Sequence, residues 1–305
     1  MPAKRKTSQL HEPLARLISV EKTTEAEKKT LRPYSNSRLG NISWCPTYGV
    51  VSAQKKYPTS ARSMALEAGE AMHKVFAAIR IWQLMYVQKL PKHALATGNR
   101  IFGPKRWQVC LSECDSHGKM DDLLQLTFAV LRSTGFEDDP MDKNRTIGNM
   151  QMAIIKYCEK RFDSFKHWPI YVEDLNNPRC LIGIEQHFDV VLRFSNGRAI
   201  RYIGTIDGLV WKTMKKEWFL DENKTANRIT DGWIKSFDMS HQVTGYNASS
   251  TSVFGFPVMR SRVIGCKIKP TGSEEDVVAI EPIERTLESM QAWGRWVYRM
   301  VDTFE

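Results

Sequence analysis

The apolar positions change period part-way along the chain. Over residues 60–89, Met64, Ala68, Ala71, Met72, Val75, Phe76, Ile79 and Trp82 recur at steps of three and four, the spacing of one buried helix face. Two more helices are expected over 120–132 and 145–162, with a loop over 136–142 marked by its acids and Pro140. From about residue 169 the period shortens to two. Strands are expected over 190–194 and 200–211, joined by the turn residues Ser195-Asn196-Gly197, and over 218–225 after a polar connection at 212–217. A helix over 233–247, strands over 253–268 and 277–283, and an amphipathic helix over 284–301 follow. Leu287, Met290, Trp293, Val297 and Met300 fall largely on one face of that last helix. Helices, then a strand meander, a helix, strands and a helix imply an α/β fold, a mixed sheet with a helical portion inserted ahead of it. Residues 1–31 are polar and Lys-rich and are expected to form a mobile tail, with one short helix over 14–20.

Composition narrows the class. The chain has 305 residues, 42% hydrophobic and 26% charged, which suits a soluble globular protein with one large domain or two modest ones. No run of about 18 apolar residues predicts a membrane span, and the basic start lacks the apolar stretch of a secretion signal. Six cysteines at uneven spacing are expected to be reduced, in an intracellular, cytoplasmic setting. The net charge of +10 is unevenly spread: residues 1–100 hold 17 basic and 6 acidic side chains, the remainder 27 and 28. A positive field of this kind attracts polyanions, nucleic acid most often and acidic membrane sometimes; a solvated basic tail accounts for it equally.

The chemistry-bearing residues gather in two adjacent strands. The first reads Tyr202-Ile203-Gly204-Thr205-Ile206-Asp207, an aspartate in apolar sequence; the second reads Trp218-Phe219-Leu220-Asp221-Glu222-Asn223-Lys224-Thr225. Alternation puts Glu222 and Lys224 on one face and turns Asp221 to the other. If the strands pair as a hairpin, Asp207 lies beside Glu222. Two such carboxylates repel unless a cation neutralises them, which favours Mg²⁺ or Mn²⁺, and a neighbouring ammonium can orient a water and offset charge on a phosphate. Gly69 and His73 lie one turn apart on the first strong helix, and Gln242 and Tyr246 one turn apart on a later one. Taken singly, His73 reads as a core histidine and the Gln242–Tyr246 pair as helix packing. Cys110, Cys114 and His117 have metal-like spacing but no nearby fourth ligand. The tryptophans suit either a core or base stacking.

The ordered set G-x-x-x-H, G-x-x-D, E-x-K and Q-x-x-x-Y resembles the RecB-type branch of the PD-(D/E)XK nuclease superfamily. The opening Tyr34-Ser35-Asn36-Ser37-Arg38-Leu39 followed by Cys45-Pro46 is similar to the start of those domains. The resemblance runs from about residue 34 to 246, with the helical insertion at about 100–180 least recognisable, so that 32–305 would form one nuclease domain. It implies a restriction-endonuclease-like core, a central mixed sheet flanked by helices. It also implies that His73, Asp207 and Glu222, with the backbone carbonyl of Asn223, ligate Mg²⁺ or Mn²⁺. Lys224 would orient the attacking water, while Gln242, Tyr246 and Glu185 would support the site and the DNA. The implied activity is metal-dependent hydrolysis of DNA leaving a 5′-phosphate, exonuclease rather than endonuclease, in phage-like replication or recombination. DNA is the implied partner, with a recombination or single-strand-binding protein beside it.

Some relatives carry an iron–sulfur cluster held by one early and three late cysteines. Here Cys45 matches the first, but only Cys266 follows Lys224, so no cluster is expected. No G-x-x-x-x-G-K-[ST] loop is present, and no nucleotide cofactor is expected. The alternative reading is a DNA-binding or scaffold protein on a nuclease fold, its hydrolysis lost or dependent on a partner.

Overall fold

The computed structural model describes residues 15–44, 64–114 and 117–304. The fold is α/β. Seven strands make one mixed sheet: β1 (Leu17–Lys22), β2 (Pro33–Ser35), β3 (Ile184–Phe194), β4 (Ala199–Lys212), β5 (Glu217–Ala226), β6 (Arg260–Lys267) and β7 (Val277–Glu284). Their order is β1-β3-β4-β5-β6-β7, with β2 beside β4. The β4–β5 and β6–β7 pairs are antiparallel and β5–β6 is parallel. Helices flank the sheet, and among the described residues no helix is long and apolar enough to cross a membrane.

The chain divides into two compact units, and β3 and β4 contribute residues to both. The larger unit takes Tyr57–Phe188 and Gly204–Arg285. Its centre is α3 (Met64–Trp82), whose expected face is buried from Ala68 to Trp82. From Val75 onward every residue of α3 is buried, so this half is enclosed on all sides rather than along one stripe. The helix continues as a π turn, Gln83–Val87, and α4 (Pro91–Phe102) starts at a proline, which needs no backbone hydrogen-bond acceptor at that position. After it come α5 (Pro104–Ser112), α6 (Met120–Ser133) and α7 (Ile147–Arg161). Gly98 of α4 lies so close to Trp107 of α5 that a β-carbon there would overlap the buried indole. Gly98→Ala is therefore expected to cost about 1–3 kcal/mol, against the helix-propensity gain of alanine. A urea midpoint at or above that of the parent would show that the indole can move aside.

The smaller unit takes Met1–Lys56, Asp189–Ile203 and Thr286–Glu305. In it β1 pairs with the second half of β3, Leu17 opposite Phe194 and Lys22 opposite Val190. Asp189 accepts from Arg201 at 2.9 and 2.7 Å and from Thr23 at 2.7 Å. Gln291 of α10 (Leu287–Phe304) bonds both backbone groups of Leu17. Tyr34 and Leu39 of the expected opening motif are buried, on β2 and on α2 (Asn36–Trp44).

Four expectations change. The sequence predicts a short helix over 14–20 inside a mobile tail. Instead Leu17–Lys22 is a strand of the sheet and α1 (Glu25–Thr30), closed by a Thr24–Glu27 capping box, follows it. The tail's first fourteen residues lie outside the described residues. The helix expected over 233–247 is two, α8 (Asp231–Lys235) and α9 (His241–Phe254). Ser240 starts the second, its hydroxyl accepting from the Val243 N–H. Val253 and Phe254, expected to open a strand, end α9 at a left-handed Gly255 (φ 82), and β6 begins only at Arg260. Leu287, expected on the buried face of the last helix, is exposed at its start, while Trp293, Val297 and Val301 are buried.

Candidate metal centre

Every residue of this site belongs to the larger unit. The β4–β5 register pairs Gly208 with Asp221, and its continuation sets Asp207 opposite Glu222. The Asn223 N–H donates to Asp207 Oδ2 at 2.9 Å, fixing the aspartate against the neighbouring strand. Alternation holds as well: Glu222 Oε1 and Lys224 Nζ, two residues apart on one face, are 2.6 Å from each other.

Other elements converge on this pair. His73 of α3 puts Nδ1 3.6 Å from Asp207 Oδ2. Glu185, at the start of β3, adopts a left-handed backbone (φ 48), costly for a residue with a β-carbon. Arg100 secures that conformation by donating to the carbonyls of Ile184 at 2.6 Å and Glu185 at 3.0 Å. One ligand atom each from His73, Glu185 and Asp207 lie within 4.8 Å of one another, the one such cluster of three or more among the described residues. Glu222 is held differently. Its Oε1 accepts from Gln242 at 2.9 Å as well as from Lys224, and Gln242 in turn donates to Tyr246 Oη at 2.8 Å, both from α9.

The electrostatics of the cluster are unbalanced toward negative charge. Burial, then the charge of Asp207, pushes Glu185 up to about 8 and Glu222 up to about 7. Burial pulls His73 down despite Asp207, which favours the neutral imidazole that ligates metals. Lys224 is raised: burial opposes its charge, and Glu222 and Asp207 outweigh burial. Glu185 Oε1 is buried without a hydrogen-bond partner. A buried oxygen left orphaned, beside carboxylates that destabilise each other's charge and a neutral imidazole, fits a hard divalent cation.

Beneath the site lies a layer that the sequence motifs did not reveal. Arg80, two helical turns beyond His73, is buried and donates to the carbonyls of Asp207 at 3.0 Å and Asp221 at 3.2 Å. The missing side chain of Gly208 leaves the room in which it lies. Asp221 faces away from the cluster and accepts from Arg262 at 2.6 and 2.9 Å. With its amide oxygen toward Arg80, Asn223 accepts at 2.6 and 3.1 Å and donates to Tyr157 Oη at 3.0 Å. The one available signal was Arg80 itself, a charge set among Ile79, Ile81 and Trp82 in a buried helix.

The other metal-like residues do not gather. Cys114 Sγ donates to the Cys110 carbonyl at 3.1 Å, and the His117 N–H to Asp122. Cys45 lies outside the described residues, and burial pushes the Cys266 thiol up to about 12. No protein-family model matches the chain, and no curated protein matches it in sequence.

Proposed function

We propose that this chain is a divalent-cation-dependent DNA nuclease with a PD-(D/E)XK-type core, related to the RecB branch and acting as an exonuclease. The observation that carries the proposal is the meeting of His73, Glu185 and Asp207, from three separate elements, beside the Glu222–Lys224 pair. His73, Glu185 and Asp207 would hold the cation, with Glu222 adjoining; Mg²⁺ or Mn²⁺ there supplies Lewis acidity toward a phosphodiester. Lys224, its side chain 26% exposed and its head fixed by Glu222, is open enough to meet substrate and rigid enough to orient a water. Gln242 and Tyr246 hold Glu222 in register for that contact.

The test is degradation of linear and circular DNA, single- and double-stranded, with Mn²⁺, Mg²⁺ or EDTA. Metal-dependent loss of linear DNA alone is the expected result; cutting of circles would replace exonuclease by endonuclease, and inactivity on every substrate would overturn the proposal. Glu185 gives a second test, independent of turnover. Glu185→Gln keeps the size and removes the charge, and is expected to weaken Mn²⁺ binding about 10- to 100-fold. Titration followed by electron paramagnetic resonance reads this directly, and an unchanged affinity would remove Glu185 from the ligand set.

A further inference from the structure

A groove of about 590 Å³ lies between α4 and residues 178–182. One face of α4 runs along it, Lys92, Leu95, Ala96 and Asn99 at steps of three and four, and Arg100 closes that wall. Arg179 stands on the opposite wall. Among the described residues the lining holds three basic side chains and no acidic one, over a mainly apolar floor that includes Leu95 and Ile182. Lys92 and Arg179 are exposed and make no ion pair among the described residues. Arg100 of the lining is held in place by its grip on the carbonyls of Ile184 and Glu185. Arg100 therefore joins the groove wall to the backbone of Glu185, a residue whose carboxylate belongs to the metal cluster.

We propose that this groove is the track of a single DNA strand leading to the metal centre, an assignment that rests on the nuclease reading of that centre. Phosphates meet the cations and the apolar floor meets sugar and base faces. Lys92 and Arg100 are eight residues apart on one helix, about 12 Å, so they serve different phosphates of one strand. The volume is in the range of pockets that hold small ligands, the scale of nucleotides and not of a duplex. Arg100 has guanidinium N–H groups left beyond the two carbonyls, so one side chain joins the strand's position to that of Glu185.

The experiment measures binding of fluorescein-labelled oligo(dT) to the full-length protein by anisotropy, in EDTA and over a range of salt. Lys92→Gln with Arg179→Gln is expected to weaken binding at least about tenfold and to make the salt slope shallower by about 1.4, two single-strand phosphate contacts. Lys215→Gln with Lys216→Gln, an equal charge change in the exposed β4–β5 turn, is expected to move both much less. Equal effects of the two pairs would overturn the track, as would duplex DNA binding as tightly as oligo(dT), or polyglutamate competing as well as oligo(dT). Because EDTA removes any turnover, failure of the nuclease reading shows as inactivity with metal, whereas failure of the groove shows here. All four residues are exposed, so the variants fold as the parent does, which circular dichroism verifies.

Discussion

Lys224→Ala is expected to slow metal-dependent DNA hydrolysis about 100- to 1000-fold while Mn²⁺ binds at least as tightly as in the parent. The two effects separate because Lys224 is not one of the clustered ligand groups. Its ammonium stands 2.6 Å from Glu222 Oε1, and removing it leaves more negative charge around the cation, not less. What is lost is a fixed positive group for the water and the phosphate. Asp207→Ala makes the contrast: it removes the carboxylate that lies against His73 and accepts from Asn223, and both metal binding and hydrolysis are expected to fail. Single-turnover rates on end-labelled DNA, measured beside a Mn²⁺ titration, distinguish the two. Degradation by both variants at the parent rate would sink the site. Loss of Mn²⁺ binding in Lys224→Ala would instead make the lysine an organiser of the ligands.

The part of the site that could be read from sequence depended on short-range geometry. Glu222 and Lys224 share a face because strands alternate, and Gln242 and Tyr246 share one because four residues make about a turn. Both relations depend on residues close in the chain, and both recur in the structure. The layer beneath depends on residues far apart. Arg80 and Asp221 are separated by 141 residues and Asp221 and Arg262 by 41. Read alone, each is a charge that would ordinarily face water. The differences between expected and observed elements have a similar cause. Leu17-Ile18-Ser19-Val20 is too short for period to distinguish strand from helix, and the β3 partner that decides it lies some 170 residues away. The β-branched and aromatic pair Val253 and Phe254 reads as part of the strand that follows, although the glycine after it closes a helix.

That hidden layer carries the largest stability effect. Asp221→Leu is expected to destabilise the protein by about 3–5 kcal/mol at neutral pH, because it leaves two guanidinium groups in the interior without their carboxylate. Arg262 bonds Asp221 through Nε and Nη2 and lies 3.7 Å from the Trp168 ring centroid, and Arg80 Nη2 is 3.4 Å from Asp221. All three side chains are buried. Burial by itself would raise the Asp221 carboxyl, but the charge and hydrogen bonds of Arg262, with Arg80 behind, outweigh it and hold the group at about 2. A folded value below the ordinary 3.8 means that the stabilisation is fully present above 3.8 and is lost as pH falls through about 2. The parent and Asp221→Leu should therefore differ most in urea midpoint at neutral pH and converge toward pH 2. A gap below about 1 kcal/mol, or one indifferent to pH, would show that the two arginines find other partners. The consequence reaches the site as well. Arg80 holds the Asp207 carbonyl from below, so freeing its guanidinium loosens the strand that presents the metal cluster. Asp221→Leu should accordingly lose hydrolysis at temperatures where it is still folded, although it touches neither cation nor DNA.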